Sequence, residues 1–222
     1  MTTLQLPDLA RSDAGTTLVS EWIVDGPDRQ DRAGRALLGE WGELSARLRP
    51  EAFLRLSCFA SADGRVLLCV AQWTGDEAHL AFVREHRSGM VGRIDREIPG
   101  IERPGLVRYR LAHTVVADGA DDDTTDVIVV THAGNGPAPH AARWAETMAG
   151  RLQTAPPPGM GTAHMFVSED GARGLLYAPV TRTNGVAGAQ PYRLLGAVAG
   201  PDTGADGAGQ AGSGRSHGTG RT

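Results

Sequence analysis

Two short segments of this 222-residue chain, Ser61–Gly64 ("SADG") and Ser168–Gly171 ("SEDG"), constrain its fold more than any other feature. Each Asp-Gly sits between apolar runs, the strongest short-range signal of a β-hairpin. Their surroundings recur as well. A Pro-containing loop precedes each, "RPEAF" and "PPPGM". Before the loops lie helix-like segments, Asp28–Leu48 with Leu37, Leu38, Trp41, Leu44 and Leu48 at helical spacing, and Ala138–Leu152 with Trp144, Met148 and Leu152. An apolar strand opens each copy, "TTLVSEWIV" and "TTDVIVVTH". A repeat at this spacing dictates the architecture and has to be read before any single element.

The copies are unequal. The first continues into a second helix, about Glu77–Glu97, and a last strand, "LVRYRLAHTVV". The second reaches its last strand, "PYRLLGAVAG", through only "RTNGVAGAQ". Asp63 and Asp170 are 107 positions apart, whereas the Tyr-Arg-Leu triplets at Tyr109 and Tyr192 are 83 apart. The second unit has thus lost its second helix. The order β-α-β-β-α-β is that of a ferredoxin-like unit, so the fold class is α+β. It comprises two such units in one chain, antiparallel sheets packed face to face and helices outside. The boundaries are a flexible N-terminus 1–15, a first unit 16–116, an acidic linker 117–123 ("ADGADDD"), a second unit 124–199 and a tail 200–222. The tail is Gly-rich and nearly free of apolar residues, a composition that cannot offset its ordering entropy, which predicts disorder.

A two-residue Asp63-Gly64 turn pairs residues whose numbers sum to 127, so Cys58 faces Cys69, Phe59 faces Leu68 and Ala60 faces Leu67. Alternation then puts Leu67, Cys69, Ala71 and Trp73 on one face, joined by Leu54, Leu56 and Cys58. Val66, Leu68, Val70 and Gln72 take the other. Both faces are largely apolar, as for a sheet covered on both sides. The two cysteines read as reduced, small core residues.

Composition excludes several functions. Net charge is −4 and all 22 basic residues are Arg, scattered among Asp and Glu with no basic stripe for nucleic acid. No apolar run approaches the roughly 20 residues of a membrane helix, and "MTTLQLPDLARSDAG" does not read as a secretion signal. The expectation is a cytoplasmic protein. The seven His show no metal-ligand spacing, and no Gly-x-Gly-x-x-Gly follows a strand. No metal or cofactor is expected.

The run "VAQWTGDEAHLAFV", with "SADG" before it and "PGIERPGLVRYRL" after it, resembles the antibiotic biosynthesis monooxygenase domain. The resemblance covers Thr16–Val116 and, more weakly, Thr124–Gly200. It implies a dimeric α+β barrel fold, either a homodimer or a monomeric pseudo-dimer. It also implies a small cofactor-free oxygenase that converts aromatic polyketide phenols or anthrones to quinones with dioxygen. Haem-degrading enzymes and polyketide cyclases share that superfamily. The family's strand-end Trp falls on Trp73 and, without a gap, a basic residue of its second helix falls on Arg93. His79 stands where the family has a Tyr and Cys69 where it has an Asn; Val180 replaces the Trp in the second copy. One site per chain follows, in the first half. Trp73 would wall the pocket, His79 would act as base and Arg93 would stabilise an anion. Cys69, Cys58, Leu56 and His86 would line the substrate site, with Arg87 an outlying member. A non-redox cyclase or isomerase, and a non-catalytic polyketide- or protein-binding partner, are the alternatives, with haem degradation the weakest.

Overall fold

A computed structural model describes residues 2–3, 5–117, 125, 127–133, 136–181 and 189–201. Its elements run β1 (Thr2–Thr3), β2 (Thr16–Ile23), α1 (Pro27–Leu48), β3 (Phe53–Ser61), β4 (Val66–Trp73) and α2 (Asp76–Phe82). A π turn (Val83–Arg87) leads into α3 (Ser88–Glu97), then come β5 (Leu106–Val115), β6 (Val127–His132), α4 (His140–Thr154), β7 (Ala163–Ser168), β8 (Gly174–Pro179) and β9 (Gln190–Ala199). The first half pairs in the order β3-β4-β2-β5, and the same order recurs as β7-β8-β6-β9.

The expected pair of stacked sheets is instead one closed surface. Strand β5 pairs with β7, and β3 pairs with β9, so eight antiparallel strands form a barrel, with β1 added beside β9. Closure removes the open edges that two stacked sheets would leave unpaired. The interior is filled by large side chains, among them Phe59, Phe166, Tyr109, Tyr177 and Tyr192. Both Tyr-Arg-Leu tyrosines therefore point inward, from β5 and β9. The N-terminal residues are less free than their composition suggests. Leu9 is buried in the interior cluster, and Gln72 Nε2 donates to the Asp8 carbonyl at 2.9 Å. Gly15 passes so close to the end of β4 that a Cβ there would meet the Thr74 carbonyl oxygen at 2.0 Å.

The two hairpins share one chemistry. In each, the Ser hydroxyl donates to the Asp two residues on, at 2.6 Å in the first and 2.5 Å in the second. That Asp accepts the backbone N–H of Arg65 or Ala172, and the Ser oxygen accepts the N–H of Val66 or Arg173. Gly64 and Gly171 take positive φ, 74° and 68°, which glycine adopts without a Cβ clash. The loop spans Ala62–Arg65, four residues where two were expected. The loop gains one residue on each side of Asp63-Gly64, so its centre and the register are unchanged, and Cys58 faces Cys69 as the pattern requires. A bulge between Phe53 and Arg55 changes the parity beyond it, so Phe53, not Leu54, joins the helix-facing cluster.

Helix α1 begins with Pro at its first position and ends at Arg49, whose φ of 45° closes the last turn before Pro50. It buries Leu37, Leu38, Trp41 and Leu44 on the outer face of the first half. Helix α4 buries Ala145, Ala149 and Leu152 on the second. Most of the linker 117–123, the segment 182–188 that would hold the missing helix, and the tail 202–222 lie outside the described residues.

Candidate functional site

Cross-strand register lays the site's floor in rows. Cys69 faces Ser20 on β2 and Cys58 on β3; Ala71 faces Leu18 and Leu56; Trp73 faces Thr16 and Phe53. On the far side of β2, Leu18 faces Arg108 and Ser20 faces Leu106 of β5. Above this floor, α1 contributes Leu37 and Trp41, α2 His79 and Phe82, the π turn Val83 and Arg87, and α3 Met90 and Val91. They enclose a cavity of about 300 Å³, at the lower end of the usual range of about 300–1,000 Å³ for ligand pockets.

Aromatic rings form one end. Trp41 stacks on Phe53 at 4.8 Å and on Phe82 at 5.1 Å, and Trp73 packs at 5.3 Å from Phe53 and edge-on to His79 at 5.5 Å. Trp73 is 1% exposed, yet among the described residues its indole Nε1 has no hydrogen-bond partner. A buried donor left in that state costs about 1–3 kcal/mol and suits an oxygen supplied by a ligand.

Cations line the wall beside them, on the far side of His79. Arg108 Nη2 donates to His79 Nδ1 at 3.3 Å. Arginine cannot accept, so Nδ1 is the acceptor and the proton of the neutral ring sits on Nε2. Burial pushes the His79 pKa down to about 4, helped by the Arg108 and Arg87 charges and opposed by Asp76. Asp76, in the first turn of α2, binds two guanidiniums. Arg110 Nη2 donates to its Oδ2, and Arg108 Nε lies 3.5 Å from its Oδ1. Burial alone would raise the Asp76 pKa. Hydrogen bonds from Arg110 and Thr16 and the charges of Arg110 and Arg108 outweigh it, and the carboxyl titrates below its ordinary value. Arg103 stacks on Trp22 at 4.1 Å and pairs with Asp95 at 2.8 Å. The cavity wall thus carries Arg87, Arg103 and Arg108 and no Asp or Glu.

Of the residues the sequence pointed to, Trp73, His79, Cys69 and Leu56 meet on this wall. Cys58 is fully buried beside Cys69, outside the lining; both thiols are free. Hydrogen bonding to Cys69 and then burial raise the Cys58 pKa well above its ordinary value, so it is no thiolate nucleophile. His86 lies edge-on to Phe82 at 5.1 Å and outside the lining. Arg93 points away and grips Glu40 of α1 at 2.6 Å. An uninterrupted α-helix would return Arg93 to the face of His79, since the 14 residues between them are nearly four turns. The π turn at Val83–Arg87 adds a residue and rotates everything beyond it. Arg108, Arg103, Asp76 and Trp41 were not anticipated. The alternation of "LVRYRL" on β5 carried the signal for Arg108, opposite Leu18.

No family model and no curated protein sequence matches the chain. Solved structures match its fold. An anthrone oxidase-like protein is 15% identical, with 88% of this chain and 98% of that one aligned and a TM-score of 0.66. A putative monooxygenase from Fusobacterium nucleatum is 10% identical over 82% of this chain and 93% of its own, TM-score 0.54. A monooxygenase of Streptomyces coelicolor, solved with nanaomycin D, is 27% identical over 46% of this chain and 91% of its own, TM-score 0.40. The chain shares its fold with the anthrone oxidase-like protein and the Fusobacterium nucleatum protein. Among the described residues no three His, Cys, Asp or Glu are grouped to hold a metal ion, and no helix is long and apolar enough to cross a membrane.

Proposed function

We propose that the chain is a monooxygenase that oxidises a phenolic aromatic polyketide or anthrone with dioxygen and without a cofactor. The observation that carries this reading is an aromatic cavity whose wall carries Arg108 and no Asp or Glu, Asp76 holding Arg108 from behind that wall. A flat ring system packs between the aromatic end and the floor of β2 and β4. Its hydroxyl meets Arg108, His79 and the unpartnered Trp73 Nε1.

The proton balance decides the roles. A phenol ionises near pH 10, and His79, titrating at about 4, is far too weak a base to take its proton. One guanidinium at about 4 Å contributes about 4 kcal/mol at an effective dielectric constant of 20, or about 3 pKa units. That brings the phenol close to neutrality, and its proton leaves to solvent. The sequence assigned His79 as base; this reading makes it a neutral partner of Arg108 and an Nε2–H donor. The phenolate, electron-rich at ring carbon, gives electrons to dioxygen. One oxygen atom forms the new carbonyl and the other leaves as water with the two hydrogens lost from substrate, so phenol plus O₂ becomes quinone plus H₂O.

The test is turnover of a panel of polyketide phenols and anthrones by purified protein, in ¹⁸O₂ and under strict anaerobiosis. Labelled quinone formed only in oxygen supports the reading. The same unlabelled product in both atmospheres would replace it with a cyclase or isomerase. No product from any member would favour a binding protein.

A further inference from the structure

The charge around the cavity is one-sided, although the whole chain carries −4. Three arginines line the wall and no carboxylate does. Arg103 is neutralised by Asp95. Asp76 serves Arg108 and Arg110 together, so that trio keeps one positive charge. Arg87 closes the π turn on the cavity's solvent side, is exposed, and has no carboxylate partner among the described residues. Its charge lowers the proton affinity of His79, eight residues earlier on the same helical segment. The phenolate answers the charge at Arg108. Among the described residues no carboxylate answers the one at Arg87. A π turn is itself uncommon and concentrates at functional sites, and this one brings an arginine to the mouth of an apolar cavity.

We propose that the substrate is an aromatic acid, with a carboxylate that Arg87 binds at the mouth while Arg108 binds the ring hydroxyl further in. Arg87 is then a specificity-determining residue, and Asp76 a positioning residue that holds Arg108. The inference takes from the oxygenase reading only that this cavity is the substrate site.

The test is binding, without turnover. Tryptophan fluorescence and calorimetry under anaerobic conditions compare 6-hydroxy-2-naphthoate, whose hydroxyl and carboxylate sit at opposite ends of the ring system, with its methyl ester, which keeps the ring and hydroxyl and loses the charge. A charge-assisted contact predicts that the acid binds tighter by about tenfold or more, and that the ratio shrinks as salt is raised. Arg87→Gln brings the ratio close to one, Arg87→Lys keeps a preference for the acid, and Arg84→Gln, on an exposed neighbouring residue, leaves the ratio alone. Equal binding of acid and ester, or an Arg87→Gln protein that still prefers the acid, overturns the proposal. An acid that binds through Arg87 but is never oxygenated leaves this inference standing and removes the oxygenase reading.

Discussion

His79 makes the geometry testable through stability. In the unfolded chain it titrates near 6.5 and in the folded protein near 4. A histidine with a depressed folded pKa is neutral in the native state, so the native form is favoured fully above pH 6.5. That advantage is lost as the unfolded chain takes up a proton the native state refuses. The extra protonation of the unfolded state at this site grows from about a quarter of a proton at pH 7 to nearly one at pH 5. Each pH unit below 6.5 removes up to about 1.4 kcal/mol, so the loss by pH 5 is about 2 kcal/mol. The window stops at pH 5, above the range in which Asp76, held below its ordinary value, takes up a proton. Urea unfolding of wild type and His79→Gln at pH 7, 6 and 5 measures the double difference, in which titration elsewhere cancels. Glutamine offers Arg108 an acceptor but does not titrate. The stability gap between the two proteins should shift by about 2 kcal/mol against wild type on going from pH 7 to pH 5. Parallel pH profiles would show that His79 is not held neutral by burial and Arg108, and the assignment of its Nδ1 as an acceptor would fall with them.

Trp73→Phe keeps a ring on the wall and removes the unpartnered Nε1, so affinity for a phenolic ligand should fall by about fivefold to tenfold, read by calorimetry. Asp76→Asn removes the charge that opposes the arginines, so the His79 pKa should drop below about 4, as followed by NMR of the imidazole; a rise would contradict the network. Gly64→Ala puts a Cβ at positive φ and 2.9 Å from Pro27 Cβ, whereas at Gly171 the nearest atom is Ala138 Cβ at 3.1 Å. Both should destabilise by about 1–2 kcal/mol, Gly64 the more, as measured by chemical denaturation.

How much of this was legible in the chain depended on the range of the interaction. Turn chemistry is local. "SADG" and "SEDG" set both hairpins, and the register survived a wrong loop length because the longer loop keeps the same centre. Alternation then placed Cys69 and Trp73 on the wall correctly. Parity explains the miss at Leu54, since a single bulged residue reverses which side chain faces the helices and no local signal announces it. The same arithmetic failed on the second helix. One extra residue in a π turn turned Arg93 outward to Glu40, and hydrophobic spacing alone does not reveal such a turn. Barrel closure joins residues about 50 to 60 positions apart through β5–β7 and more than 130 apart through β3–β9, beyond any local pattern. Arg108 was missed for a different reason. The family resemblance marks a basic residue on the second helix, whereas the cation comes from the strand across β2.

The two halves show that strand order and turn chemistry do not by themselves make a site. Shifting by the hairpin spacing of 107, Leu37 corresponds to Trp144, Leu67 to Gly174, Cys69 to Leu176 and Trp73 to Val180. In the first half, leucines of moderate size meet between helix and sheet and Trp73 stands at the rim, leaving room beneath α2 and α3. In the second, the Trp144 ring lies against the sheet where Gly174 has no side chain, its Cε3 2.5 Å from where a Cβ would be. The large ring and the missing Cβ bring α4 down onto β8, and Val115, Met165, Leu176 and Val180 pack into one cluster with it. Cores are close-packed, so a cavity persists only where side-chain volumes leave one. Moving the volume from sheet to helix, as the Leu67–Gly174 and Leu37–Trp144 exchanges do, keeps the layer filled. On this argument Gly174→Leu, which restores volume to the sheet without removing Trp144, overpacks the second half and should cost at least about 1–3 kcal/mol. Tolerance of that substitution without loss of stability would show that side-chain volume does not set how closely α4 packs on β8.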